Sequence, residues 1–346
     1  MTGVRTEVPP GALTPAPHPL LRLESVSLHY AVRRGLFASA PVRALERVDL
    51  ELGTGEALAV VGESGSGKST LARAVLALAP LTHGRVWFRG ADAALGDAAA
   101  LLAYRRRVQA VFQDPYASLS PFMPVIELVE EPLVVHGPRD RAVRRERALA
   151  ALERVRLQPA ALFAERYPHT LSGGQRQRVA IARAMVLEPE LLVADEPVSM
   201  IDASSRAEIL SLLRELQRTR GLALLIITHD LASARHAADR IAVLYAGRLV
   251  EQGPARRLIE APRHPYTRGL LAAVPEPDPA NRHRRRPVIA GEPPSPLQLP
   301  SGCPFRTRCP EALPGVCDVR FPAVTDLGEG HAVACHLYPP PGGAAS

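Results

Sequence analysis

Lysine is almost missing from this chain. Of its 42 basic side chains only Lys68 is lysine, and arginine serves everywhere else. Aromatic residues are only 4% of the chain, so no platform of rings interleaved with basic groups is available for nucleic acid, despite a net charge of +7. The short runs Arg105–Arg107 and Arg284–Arg286 read as solvated faces or partner contacts. No apolar run reaches the roughly 18 residues of a membrane-crossing helix. The Pro- and Ala-rich start, Met1 to Pro19, lacks the basic-then-apolar order of a secretion signal. These absences point to a cytosolic chain with a flexible tail over residues 1–19 and no nucleic-acid partner. Cysteine is also scarce: Cys303, Cys309, Cys317 and Cys335 are the only four. What remains is 47% hydrophobic over 346 residues, ample for a large core and two or three domains.

The lone lysine sits in Gly62-Glu-Ser-Gly-Ser-Gly-Lys-Ser-Thr70, between an apolar run (Ala57–Val61) and a helical one (Leu71–Leu78). Strand, Gly-rich loop and helix in that order make a phosphate-binding loop. Gly62, Gly65 and Gly67 let the backbone turn so that successive N–H groups, with Ser64 and Thr70 in the same loop, surround a phosphate chain. The helix that starts at Lys68 adds the positive end of its dipole. Lys68 should reach the β- and γ-phosphates, where a compact ammonium serves better than a guanidinium, and Ser69 should hold Mg²⁺.

Strands and helices alternate along the rest of the chain, which predicts an α/β fold with a mostly parallel sheet and helices on both faces. Leu21–Tyr30 and Ala44–Leu52 read as strands, Arg141–Val155 as the clearest helix, and Arg176–Leu187 as a helix behind Leu171-Ser-Gly-Gly-Gln175, with Ser172 as its N-cap. Leu191–Asp195 and Leu222–Ile227 are apolar throughout, as buried parallel strands are. Ile241–Leu244 and Arg248–Glu251 read as the last strand pair. Beyond residue 260 proline becomes frequent. A linker near Pro275–Pro300 leads to a small module with all four cysteines, so the expected division is 1–19, 20–260 and 261–346.

Taken singly, Gln113, Asp195-Glu196 and His229 have ordinary structural readings. Their order is informative: phosphate loop, Gln113, Leu171–Gln175, the Asp195-Glu196 strand end, then His229. From about residue 20 to 260 the chain resembles the ATP-binding-cassette ATPases. That resemblance implies a P-loop fold with a mostly parallel core sheet, an antiparallel β subdomain and a helical subdomain. It implies that Tyr30 stacks on adenine and that Ser69, Asp195 and Gln113 surround Mg²⁺. Glu196 looks like the general base, with Gln113 and His229 sensing the γ-phosphate. Ser172, Gly173, Gly174 and Gln175 would face ATP held by a partner's phosphate loop, with Asp202 in the loop crossing between the two sites.

Further segments narrow the resemblance. Gln113-Asp-Pro-Tyr-Ala-Ser-Leu-Ser-Pro121, Tyr167-Pro-His169, His264-Pro-Tyr-Thr-Arg-Gly-Leu-Leu271 and Gly302-Cys-Pro-Phe-Arg-Thr-Arg-Cys-Pro310 look like the ATPases of oligopeptide and dipeptide importers, in the F-type (OppF/DppF-like) variant. Thr170 departs from that family's usual Glu before the signature. The implied activity is ATP hydrolysis driving peptide import. The implied partners are a second, D-type ATPase subunit, two permease subunits and, indirectly, an extracytoplasmic binding protein. The implied location is peripheral, on the cytoplasmic face of the membrane. A soluble cassette ATPase of ribosomes or DNA and an importer of nickel or oligosaccharides are the alternatives. The cysteines are spaced C-x5-C-x7-C-x17-C. In a cytosolic chain such a group suits metal, iron–sulfur or zinc. On the resemblance a [4Fe–4S] cluster is expected ahead of Zn²⁺.

Overall fold

The computed structural model describes residues 19–34, 38–93, 97–274 and 289–340. All but Pro19 of the expected tail over residues 1–19, residues 275–288 of the expected linker and with them the run Arg284–Arg286 lie outside them. The chain opens with strands β1 (Leu21–Arg34) and β2 (Ala38–Leu52), then β3 (Ala57–Val61), helix α1 (Lys68–Val75), β4 (His83–Phe88) and β5 (Ala91–Asp92). After α2 (Ala98–Arg107) and β6 (Val108–Val111) come α3 (Pro115–Ser118), α4 (Val125–His136), α5 (Arg141–Arg154) and α6 (Ala160–Ala164). Then follow α7 (Gly173–Met185), β7 (Leu191–Asp195), α8 (Ala203–Arg220), β8 (Ala223–Thr228), α9 (Leu231–Ala237), β9 (Arg240–Tyr245) and β10 (Arg248–Pro254). The last elements are α10 (Ala255–Glu260), α11 (Pro265–Ala273), β11 (Val324–Asp326) and β12 (Ala332–Ala334).

Two sheets form. An antiparallel one runs β2-β1-β4-β5, and the core sheet runs β11-β12-β10-β9-β3-β8-β7-β6. The strands β9, β3, β8, β7 and β6 are parallel to one another. Their residues alternate between two cores, as a pleat with period 2 requires. Leu58, Val60, Leu225 and Ile227 face α1 and the antiparallel sheet. Ala57, Ala59, Leu224 and Ile226 face the opposite layer, which contains α4, α5, α7 and α8. Both faces are covered, so these strands carry few polar residues. The core sheet thereby delivers the C-terminal ends of β3, β7 and β8 to one edge, where ligands of open α/β sheets bind.

The cysteine-bearing segment differs from the expected appendage. β12 pairs antiparallel with β10 (Glu251↔Val333, Gln252↔Ala332), and β11 pairs with β12, so the segment extends the core sheet by two strands. The buried Glu251 carboxylate fastens the join. It accepts from His331 Nε2 (2.8 Å), Arg263 N (2.7 Å) and His264 N (2.9 Å). His331 is 1% exposed. Strands this short carry no alternation long enough to be seen in sequence.

Candidate active site

The phosphate loop folds as its glycines require. Gly67 has φ 106°, and a Cβ there would lie 2.5 Å from the Ala44 carbonyl oxygen. A Cβ on Gly62 would lie 2.2 Å from the Leu244 carbonyl oxygen, so no larger residue fits. α1 starts at Lys68 with no side chain capping it, which leaves first-turn N–H groups for an anion. Lys68 Nζ is held by the carbonyls of Gly62 (2.8 Å) and Glu63 (2.9 Å). Burial lowers its pKa, and Glu196, Asp195 and Glu63 oppose that by favouring the charged form.

A cavity of about 840 Å³ opens over this loop and is lined by Tyr30, Ser64, Gly65, Gly67, Lys68, Ser69, Thr70, Gln113, Glu196 and His229. Ser69 Oγ stands 3.4 Å from Asp195 Oδ1 at the end of β7. Burial raises the Asp195 pKa, the Ser69 hydrogen bond opposes that rise, and the Glu196 charge adds to it. Two adjacent acids and a hydroxyl suit a hard divalent cation such as Mg²⁺, which takes oxygen ligands. Glu196 follows with φ 46°, in the left-handed region, which turns its carboxylate out of the strand line. Its Oε2 accepts from Gln113 Nε2 at 3.2 Å, and its Oε1 lies 3.1 Å from His229 Nδ1. Strand ends β6, β7 and β8 thus bring together three residues that are 33 or more positions apart in sequence. A carboxylate held this way beside a triphosphate pocket can polarise a water.

Leu171–Gln175 and Asp202 do not line this cavity. Ser172 caps α7 in a reciprocal box: Gln175 N–H donates to Ser172 Oγ (3.2 Å), and Ser172 N–H donates to Gln175 Oε1 (3.0 Å). Gly174 is packed closely, because a Cβ there would come 3.0 Å from Ser205 Oγ. Asp202 caps α8 by accepting from Ser205 N at 2.9 Å, and its bonds to Ser204 and Ser205 hold its pKa well below the usual carboxylate range. One chain therefore supplies a nucleotide pocket and, separately, a capped helix start.

Residues 45–199 match the family described as ABC transporter. Residues 250–317 match the oligopeptide/dipeptide transporter C-terminal region. A putative peptide import ATP-binding protein of Brucella abortus (strain 2308) is 46% identical over 317 residues, which is 92% of this chain and 97% of the relative. The chain belongs to the ABC transporter family. The dipeptide transport ATP-binding protein DppF of Escherichia coli (strain K12) is 44% identical over 92% of this chain and 94% of its own length. Among solved structures, the dimeric bacterial ABC transporter cassette MJ0796 superposes with a TM-score of 0.60 at 33% identity, covering 68% of this chain and 99% of the cassette. This ABC protein is accordingly an ATP-binding, ATP-hydrolysing P-loop ATPase.

Other residues of the site were not anticipated. Leu270 and Pro296, from the segment after residue 260, line the same cavity. Glu63, within the phosphate loop, is bonded to Tyr266 and Arg308. Both partners lie inside sequence segments that stood out as family signatures, but those segments carried no sign of where they would dock. The four cysteines are free thiols. Burial pushes Cys303 and Cys335 up to about 11. Among the described residues no group of three or more His, Cys, Asp or Glu side chains is arranged to hold a metal ion. The geometry therefore gives the iron–sulfur and zinc expectations no support.

Proposed function

We propose that this chain is the ATPase subunit of an importer of di- or oligopeptides, peripheral on the cytoplasmic face of the membrane. The observation that carries this reading is the joining of an ATP site to a peptide-transporter C-terminal region in one core sheet. No helix among the described residues is long and apolar enough to cross a membrane, so the translocation path would come from two permease subunits. Relatives named for peptide import span nearly the whole chain. In this reading residues 20–260 form the cassette and 261–346 the region built onto it.

The roles follow the chemistry. Tyr30 stacks on adenine, and Gly62, Ser64, Gly65, Gly67 and Thr70 surround the phosphates. Lys68 moves from its carbonyl partners to the β- and γ-phosphates. Ser69 and Asp195 hold Mg²⁺ with Gln113 nearby, and the ion supplies charge neutralisation at the phosphates. Glu196 takes a proton from the attacking water. His229 and Gln113 bond the γ-phosphate and report its presence. Ser172, Gly173, Gly174 and Gln175 meet the nucleotide of a second ATPase subunit, of D-type, and Asp202 lies at that crossing. The dimeric forms of MJ0796, one of them bound to ADP and Pi, support such a pairing.

A [4Fe–4S] cluster on Cys303, Cys309, Cys317 and Cys335 is the finer proposal for the C-terminal region, with Zn²⁺ its alternative. It rests on donor chemistry. The Leu313 N–H donates to Cys317 Sγ at 3.4 Å. Cys303, Cys309 and Cys317 lie close enough to Cys335 to help raise its pKa. A group held there would brace the fold.

The test is reconstitution in liposomes with the neighbouring permease and ATPase subunits and the binding protein. ATP-dependent uptake of labelled di- and tripeptides is expected. Uptake of nickel or oligosaccharide without peptide uptake would replace this reading.

A further inference from the structure

Glu63 is the second residue of the phosphate loop, and all three of its polar groups are held. Its carboxylate receives a two-pronged bond from Arg308, Nη1 to Oε2 at 2.7 Å and Nη2 to Oε1 at 3.1 Å. Its N–H donates to the Tyr266 hydroxyl at 2.8 Å, and its carbonyl accepts from Lys68 Nζ at 2.9 Å. Two of these three partners come from beyond residue 260. Arg308 lies 245 positions from Glu63 and immediately precedes Cys309.

The Arg308 side chain is only 5% exposed. Two further donors are engaged by the Ala290 carbonyl (Nε, 3.1 Å) and the Tyr245 hydroxyl (Nη1, 3.3 Å). Tyr266 is fully buried and packs edge-on to Tyr245, with ring centroids 4.6 Å apart. Phe305, two residues after Cys303, packs on both tyrosines at 5.2 and 5.4 Å. The fold of the cysteine segment therefore sets where the guanidinium and the phenol stand. A planar fork making four directed hydrogen bonds cannot be replaced by an ammonium.

The charge arrangement gives the contact a function. Glu63 lines the cavity that holds the phosphates. A free carboxylate there would repel a triphosphate and would also draw Lys68 toward itself. Paired with Arg308 it is neutralised and turned to one side. The Tyr266 hydroxyl meanwhile fixes the backbone at the entry to the loop, whose N–H groups must point inward before nucleotide arrives.

We propose that Arg308 and Tyr266 are positioning residues of the ATP site, through which the C-terminal cysteine segment holds the phosphate loop in its binding geometry. The proposal rests on the reading of that loop as the ATP site. Nucleotide affinity then depends on whether the segment is folded.

The experiment measures the Kd for MgATP and the unfolding temperature of the full-length chain and three variants. Arg308→Met keeps the length of the side chain and strands the Glu63 carboxylate. It should weaken MgATP about tenfold, within the range for residues in direct contact, and the loss should shrink as salt screens the charge. Adding Glu63→Gln to Arg308→Met removes the stranded anion and should recover affinity to within about threefold of wild type. A role in packing alone predicts no such recovery. Tyr266→Phe keeps the ring stack and removes one hydrogen bond. It should weaken MgATP about threefold to tenfold, the worth of one such bond. Wild-type affinity in folded Arg308→Met, or no recovery in the double variant, would overturn the proposal. If Arg308→Met does not fold, Tyr266→Phe decides: unchanged affinity overturns it. Failure of the wild-type chain to bind MgATP would instead remove the nucleotide reading beneath it.

Discussion

Glu196 has both carboxylate oxygens occupied, one by the Gln113 amide and one by the His229 ring. Its backbone adopts a left-handed φ of 46°, which costs a residue with a Cβ on the order of 1 kcal/mol and is retained where geometry matters. Asp195, one residue earlier, is the acid nearer Ser69. In the proposed mechanism the two acids divide into a cation holder and a base. Glu196→Gln retains the shape but exchanges one acceptor oxygen for an NH2 group, and it cannot take up the proton of a water. We expect MgATP to bind with little change while hydrolysis in the assembled complex falls by roughly 10²–10⁴-fold, the usual worth of general-base catalysis. Single-turnover hydrolysis at near wild-type rate would remove Glu196 from that role.

At the scale of elements, α11 depends on one imidazole. His264 Nδ1 accepts the Tyr266 N–H at 3.0 Å and so caps the helix that presents the Tyr266 hydroxyl to Glu63. An acceptor nitrogen must be unprotonated, and burial lowers the His264 pKa from 6.5 to about 4, against the opposing charge of Glu251. Below pH 6.5 the unfolded chain binds a proton that the folded chain does not. Stability from this group is therefore complete above pH 6.5 and is lost as pH falls toward 4. Glu251, with its depressed folded pKa, adds a second loss at lower pH, below its ordinary 4.5. His264→Asn supplies an amide oxygen for the same cap but does not titrate. Denaturant unfolding at pH 7 and pH 5 should show wild type losing about 2 kcal/mol more than the variant. Equal losses would show that His264 does not drive the acid sensitivity.

At the scale of the whole molecule, the C-terminal region is continuous with the ATPase core through β10, β12 and the Glu251–His331 contact. Arg308 beside Cys309 and Tyr266 beneath Phe305 tie the two together. If the cysteines hold an iron–sulfur cluster, anaerobically purified protein should be brown, with a broad visible absorbance band. Cys309→Ser should lose the colour and also weaken MgATP, because the Arg308 fork moves with its neighbour. Colourless protein with stoichiometric zinc, or with no metal at all, would sink the iron–sulfur assignment.

The catalytic loop and its partners were legible because each is encoded by contiguous residues whose conformation is local. Three glycines, a lysine and a hydroxyl between strand and helix make a phosphate cradle wherever they occur, and Ser172 with Gln175 three residues later makes a helix start. The strands β3, β7 and β8 announced themselves by unbroken apolar runs, because both of their faces are covered. The sequence by itself therefore determined the fold class and the family. What it left open was where the last eighty or so residues dock. The strands Val324–Asp326 and Ala332–Ala334 are too short to show a period, and their edge of the sheet is chosen by which strand is left unpaired. The Glu63–Arg308 pair depends on that choice. An ion pair across 245 residues leaves no local trace in either segment, because it exists only once the sheet order has brought the two ends of the chain to one place.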